Sequence, residues 1–73
     1  MNMSEQDKRL LQIRIARLFQ SQYRLSDDQF IMLDKKYNIM QFLEDNYAYL
    51  HLQGDNGCLS ELLIHLKSKG LNL

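Results

Sequence analysis

The chain has no proline and no tryptophan, a single cysteine, and glycine only at 54, 57 and 70. Each scarcity excludes something. Without proline and with little glycine, a scaffold of long loops and sharp reversals is not expected; helices with short joints are. Cys58 has no partner for an intrachain disulfide, so a domain of 73 residues, near the size at which staples become usual, must hold together through its core. No run of apolar residues approaches the roughly 20 needed to span a bilayer. No segment alternates apolar and polar residues with β-branched enrichment, so strands are not expected. The opening stretch, "MNMSEQDKRL", lacks a cationic segment followed by an apolar one, which argues against a secretory leader. With the free thiol, this points to the cytoplasm.

What is present describes one ordinary folded domain over residues 1–73, with 45% apolar and 25% charged residues. Net charge is zero but unevenly spread. Residues 1–25 carry Lys8, Arg9, Arg14, Arg17 and Arg24 against Glu5 and Asp7, a net +3. Residues 26–73 carry Lys35, Lys36, Lys67 and Lys69 against Asp27, Asp28, Asp34, Glu44, Asp45, Asp55 and Glu61, a net −3. Such polarity can orient a partner, or simply describe two solvated faces.

The punctuation predicts four or five helices. The first runs from Ser4, its cap, to about Tyr23, with Leu11, Ile15, Leu18 and Phe19 on one side and Ala16 and Tyr23 widening the stripe. Leu10 and Ile13 fall elsewhere, beside Arg14 and Arg17. That mixed patch either meets something outside the chain or touches the C-terminal helix. "RLSDDQF" opens the second helix: Ser26 with Gln29 forms a capping box, Asp27 and Asp28 suit the first turn, and Leu25 with Phe30 has the spacing of a hydrophobic staple. Phe30, Leu33 and Tyr37 share a face. Asn38 with Gln41 predicts a second capping box opening the third helix. Glu44 and Asp45 sit unfavourably late in that helix, so a break is expected near Asn46, then a short turn through "YAYLHL". "QGDNG" reads as a loop using positive φ, and the last helix as about Cys58 to Lys69, capped by Asn56 or Ser60 and stopped by Gly70. Leu59, Leu62, Leu63 and Leu66 are expected inside. The fold class is therefore all-α, a compact bundle of four to five short helices.

This arrangement resembles a family of short bacterial proteins catalogued as a domain of unknown function. Those proteins read lysine–tyrosine–glycine, an apolar segment, then tyrosine–x–x–leucine–histidine–threonine before a glycine turn and a final amphipathic helix. Lys36-Tyr37-Asn38 stands at the first element here; Tyr47, Leu50, His51 and Gly54 match the second. Leu52 replaces the threonine and Asn38 the glycine, and the C-terminal helix is less acidic than the family's. The likeness covers roughly residues 10–70. Family members are often encoded beside ADP-ribosyltransferase-like proteins, which implies a toxin–antitoxin or related partnership. Residues 39–51, "IMQFLEDNYAYLH", also look like a segment of another small bacterial group with a SAM-like helical fold.

Several constellations invite chemistry. His51, flanked by Tyr47, Tyr49 and Leu50, is expected to pack partly buried, a ring nitrogen bonded to a carbonyl of the adjoining turn; His51→Ala is then expected to lower stability rather than abolish an activity. His51, Cys58 and His65 recur every seven residues, but glycines interrupt the helix that would align them and a fourth zinc ligand is wanting. Cys58 reads as a small core residue, and Met1, Met3, Met32 and Met40 as termini or core filler. Tyr37 and Tyr47 are expected to plug the bundle edge, Tyr49 to be exposed. The segment a helix-turn-helix would place in a DNA groove, residues 39–46, has no Lys or Arg. Nothing combines nucleophile, activated base and oxyanion donor. The expectation is a non-enzyme without metal or cofactor, working off the membrane. It binds another protein through Leu10, Ile13, Arg14, Arg17 and Tyr49, with self-association an open possibility and nucleic-acid binding the alternative.

Overall fold

Leu11, Ile15, Ala16 and Phe19 recur at helical spacing and are all buried, which is why the first helix lies along the core rather than beside it. The computed structural model describes residues 5–72. Its helices are α1 (Glu5–Tyr23), α2 (Asp27–Tyr37), α3 (Ile39–Asp45), α4 (Tyr47–Leu50) and α5 (Asp55–Ser68). Among the described residues there is no strand. The expected cap at Ser4 and the residues Met1 and Met3 lie outside that range.

One apolar interior joins four of these helices. Ile39, Leu43, Tyr47 and Leu50 keep a helical spacing across the α3–α4 break, so both pieces point the same side inward. Cys58, Leu59, Leu62 and Leu66 of α5 close the opposite wall. Leu63, expected inside, is half-buried. α2 has no fully buried residue; Phe30, Leu33 and Tyr37 lean half-buried on the edge, with Phe30 set edge-on to Phe19 at 6.3 Å. The radius of gyration is 11.8 Å, close to the ~11 Å expected of a packed chain of this length.

The joints show where local rules applied. The Ser26 capping box forms as expected: the Gln29 amide donates to Ser26 Oγ at 3.1 Å, and the Ser26 amide to Gln29 Oε1 at 2.8 Å. α5 ends on Gly70 at φ 97°, with Leu71 N–H donating to Leu66 and Gly70 N–H to Lys67. This is a Schellman motif, and half-buried Leu71 seals it against the core. α1 ends the same way without a glycine: Arg24 takes φ 54°, Leu25 N–H reaches Gln20 and Arg24 N–H reaches Ser21.

Elsewhere the structure departs from expectation. Asn38 makes no side-chain cap; it sits in the left-handed region at φ 55°, which asparagine enters more readily than most residues, and its backbone N–H donates to the Asp34 carbonyl at the end of α2. The cap of α3 comes instead from Asp34, whose Oδ1 accepts the Met40 amide at 2.8 Å, while Gln41 donates to Asp45. "QGDNG" is a shorter joint than expected. α5 begins at Asp55 with Gly54 as its cap residue at φ −72°, ψ 172°, and Gly57 is already helical, so neither glycine uses positive φ. Met32, expected as core filler, is 71% exposed.

Candidate interaction surface

α1 presents two faces. The inner one packs on α3 and α5. The outer one carries Leu10, Ile13, Arg14 and Arg17, related by three-, four- and seven-residue steps and therefore side by side. All are exposed, Leu10 at 53% and Ile13 at 42%, so neither apolar side chain belongs to the core. The residue that does reach α5 is Arg14. Its Nε donates to Asp55 Oδ1 at 2.8 Å, pinning the start of α5 against α1. Both side chains are about half exposed, so the pair contributes less than ~1 kcal/mol and serves mainly to orient. Arg17 makes no ion pair among the described residues. Beyond it, Gln20, Ser21, Arg24, Leu25 and Asp27 line a shallow hollow that continues the same face.

Tyr49, the remaining expected contact residue, belongs to another surface. It lies on α4, 56% exposed, among Glu44, Asp45, Ala48 and Leu52, all of which point outward while Leu43, Tyr47 and Leu50 point in. The family-like elements thus divide. Tyr47 and Leu50 are core, Gly54 caps α5, and His51 is exposed rather than partly buried. The His51 ring stacks on Tyr47 with centroids 5.1 Å apart and has no carbonyl bonded to a ring nitrogen. The reason is register: the burying step runs 43, 47, 50, and residue 51 falls a third of a turn past it.

The role expected of His51 falls to His65. Its Nε2 lies 3.2 Å from the Tyr37 carbonyl oxygen, and its ring stacks on Phe42 at 4.2 Å and 19°. His65 thereby ties α5 to the end of α2 and to α3, above a cleft also lined by Gln41, Asn46 and Lys69. The sequence carried one signal for this: His65 falls three residues after the core residue Leu62, at the margin of the buried face. The Cys58 thiol donates to the Leu50 carbonyl at 3.2 Å, closing the α4–α5 joint. Burial pushes the Cys58 thiol above its ordinary value and the Asp55 carboxylate raises it further, against a smaller opposing effect of Arg14. It is thus held as an unreactive thiol. The three residues spaced by seven occupy three separate settings, and among the described residues no group of three or more His, Cys, Asp or Glu is placed to hold a metal. Nor is any described helix long and apolar enough to cross a membrane.

Compared with known proteins, the chain matches no family model, no curated protein and no solved structure.

Proposed function

We propose that the protein is a small helical protein–protein interaction module that uses the outer face of α1. One observation carries this reading: Leu10 and Ile13 stand exposed on the side of α1 opposite the core, flanked by arginines. Apolar side chains ringed by cations suit a partner surface with an apolar centre and carboxylates at its rim. The family resemblance implies the partner's kind, an ADP-ribosyltransferase-like toxin in the cytoplasm whose activity the module blocks or whose fold it completes. The alternative, a nucleic-acid-binding regulator, draws on the same arginines. Two exposed aliphatic side chains among them, and the absence of Lys and Arg from α3, favour the protein partner.

Co-purification with the product of the neighbouring gene tests this. The complex is expected to form and to weaken as salt rises. Arg17→Glu is expected to weaken it about tenfold or more without changing the fold. Arg17 is the cleaner choice, because reversing Arg14 also breaks its pair with Asp55. No complex, together with a salt-sensitive mobility shift of duplex DNA, would establish the alternative.

A further inference from the structure

We infer that the protein associates head-to-tail with a second copy of itself, the basic outer face of α1 in one copy meeting the acidic α3–α4 corner of the next. The charge is more sharply segregated than the halves of the chain suggest. Residues 8–26 contain Lys8, Arg9, Arg14, Arg17 and Arg24 and no carboxylate. Residues 37–66 contain Glu44, Asp45, Asp55 and Glu61 and no Lys or Arg. Each block also exposes large apolar side chains: Leu10 and Ile13 on the basic face, Tyr49 and Leu52 beside Glu44 and Asp45 on the acidic corner, Leu52 at 77%. Acid meets base and apolar meets apolar when the two surfaces face each other.

A single chain cannot bring them together. α1 turns its inner face to α3, so its outer face looks away from the corner that α3 and α4 present to solvent. Within the chain, Arg14–Asp55 is the one ion pair that joins the two blocks among the described residues; Arg17, Arg24, Glu44 and Glu61 make none. A net charge of zero removes long-range repulsion between copies, and the +3/−3 asymmetry favours head-to-tail approach, with the charge dipoles of the two copies pointing the same way. Because the two surfaces differ, the contact is heterologous and leaves one free surface of each kind at the ends. Both patches are small, so the association is weak, dissociating in the range of about ten to several hundred micromolar. The inference shares the α1 face with the reading above but not its partner, and its test uses the purified chain alone, so either can fail without the other.

The test is sedimentation of the full chain over a concentration series at low and high salt. The average mass is expected to rise with concentration at low salt, and the association to weaken several-fold at about 0.5 M salt. Two variants then separate the surfaces: Arg17→Glu with Arg24→Glu, and Glu44→Lys with Asp45→Lys. Each alone is expected to associate at least tenfold more weakly. Mixed in equal amounts they are expected to associate again, because each supplies the surface that the other has reversed. Circular dichroism checks that both fold; a variant that does not is replaced by Leu10→Ser on the basic face or Tyr49→Ser on the corner. A wild-type chain that stays monomeric at low salt up to about 1 mM overturns the inference. So does association that ignores both variants, or a mixture that remains monomeric.

Discussion

A carbonyl oxygen accepts hydrogen bonds and cannot donate, so His65 Nε2, 3.2 Å from the Tyr37 oxygen, carries the proton of that contact. With Phe42 against its ring, His65 is a joint between three helices. His65→Ala is expected to destabilise the protein by about 1–2 kcal/mol, through an orphaned carbonyl and a lost stack. His51→Ala removes only an exposed ring lying on Tyr47 and is expected to change stability by less than about 0.5 kcal/mol. Urea denaturation of the two variants measures the difference; equal losses would contradict the assignment. Cys58 gives a pH signature. Its folded-state affinity for the proton exceeds the ordinary value of 9.0, so the folded chain keeps the proton after the unfolded chain has released it. That contribution is whole below the ordinary value and is lost as pH rises through the folded value. Thermal melts from neutral to about pH 10 are expected to show an alkaline decline that is shallower in Cys58→Ala, a variant already weaker by about 1–2 kcal/mol at neutral pH.

Between helices, the joints are made by side chains reaching across from the preceding element. Asp34 belongs to α2 but accepts the amide of Met40 in the first turn of α3. Asn38, in the left-handed region, reverses the chain so that this reach is possible. Asp34→Ala is expected to cost about 1–2 kcal/mol, since a half-buried amide loses a charged acceptor, while Asp34→Asn keeps an acceptor and costs less. If both substitutions proved neutral in denaturant melts, α3 would not depend on this cap. The capping box at Ser26 and the stop at Gly70 were legible because every atom they use lies within a few residues. The cap of α3 was not: Asn38 and Gln41 had the right spacing for a box, but the preceding helix imposed a left-handed backbone that aims the asparagine side chain elsewhere. "QGDNG" misled for a related reason. Asp55 and Asn56 favour turns by themselves, yet burial of Cys58 and Leu59 against the core carries the helix back to Asp55, where Arg14 meets it.

For the molecule as a whole, one small interior carries the stability. Phe19, Ile15, Ile39, Leu43, Leu50, Leu62 and Leu66 are fully buried, and there is no second cluster to fall back on among the described residues. A chain of this size has about 4–10 kcal/mol in total. Leu62→Ala, expected to remove about 3–4 kcal/mol, therefore brings it near its limit, with a melting temperature lowered by well over ten degrees. A melt shifted by only a few degrees would mean that Leu62 lies less centrally than the structure has it.

The sequence by itself determined the all-α class, the inward stripes of α1 and α5, the break at Asn46 and two of the helix ends, because periodicity and capping act through bonds and neighbours within a few residues. The tertiary structure alone decided which histidine became a joint, that Arg14 is committed to Asp55, that Met32 and His51 face outward, and that Tyr49 lies apart from Leu10 and Ile13. Those outcomes depend on which helix lands beside which. In so small a core, that is set by how a few large side chains fill one shared volume, a property no local stretch of residues contains.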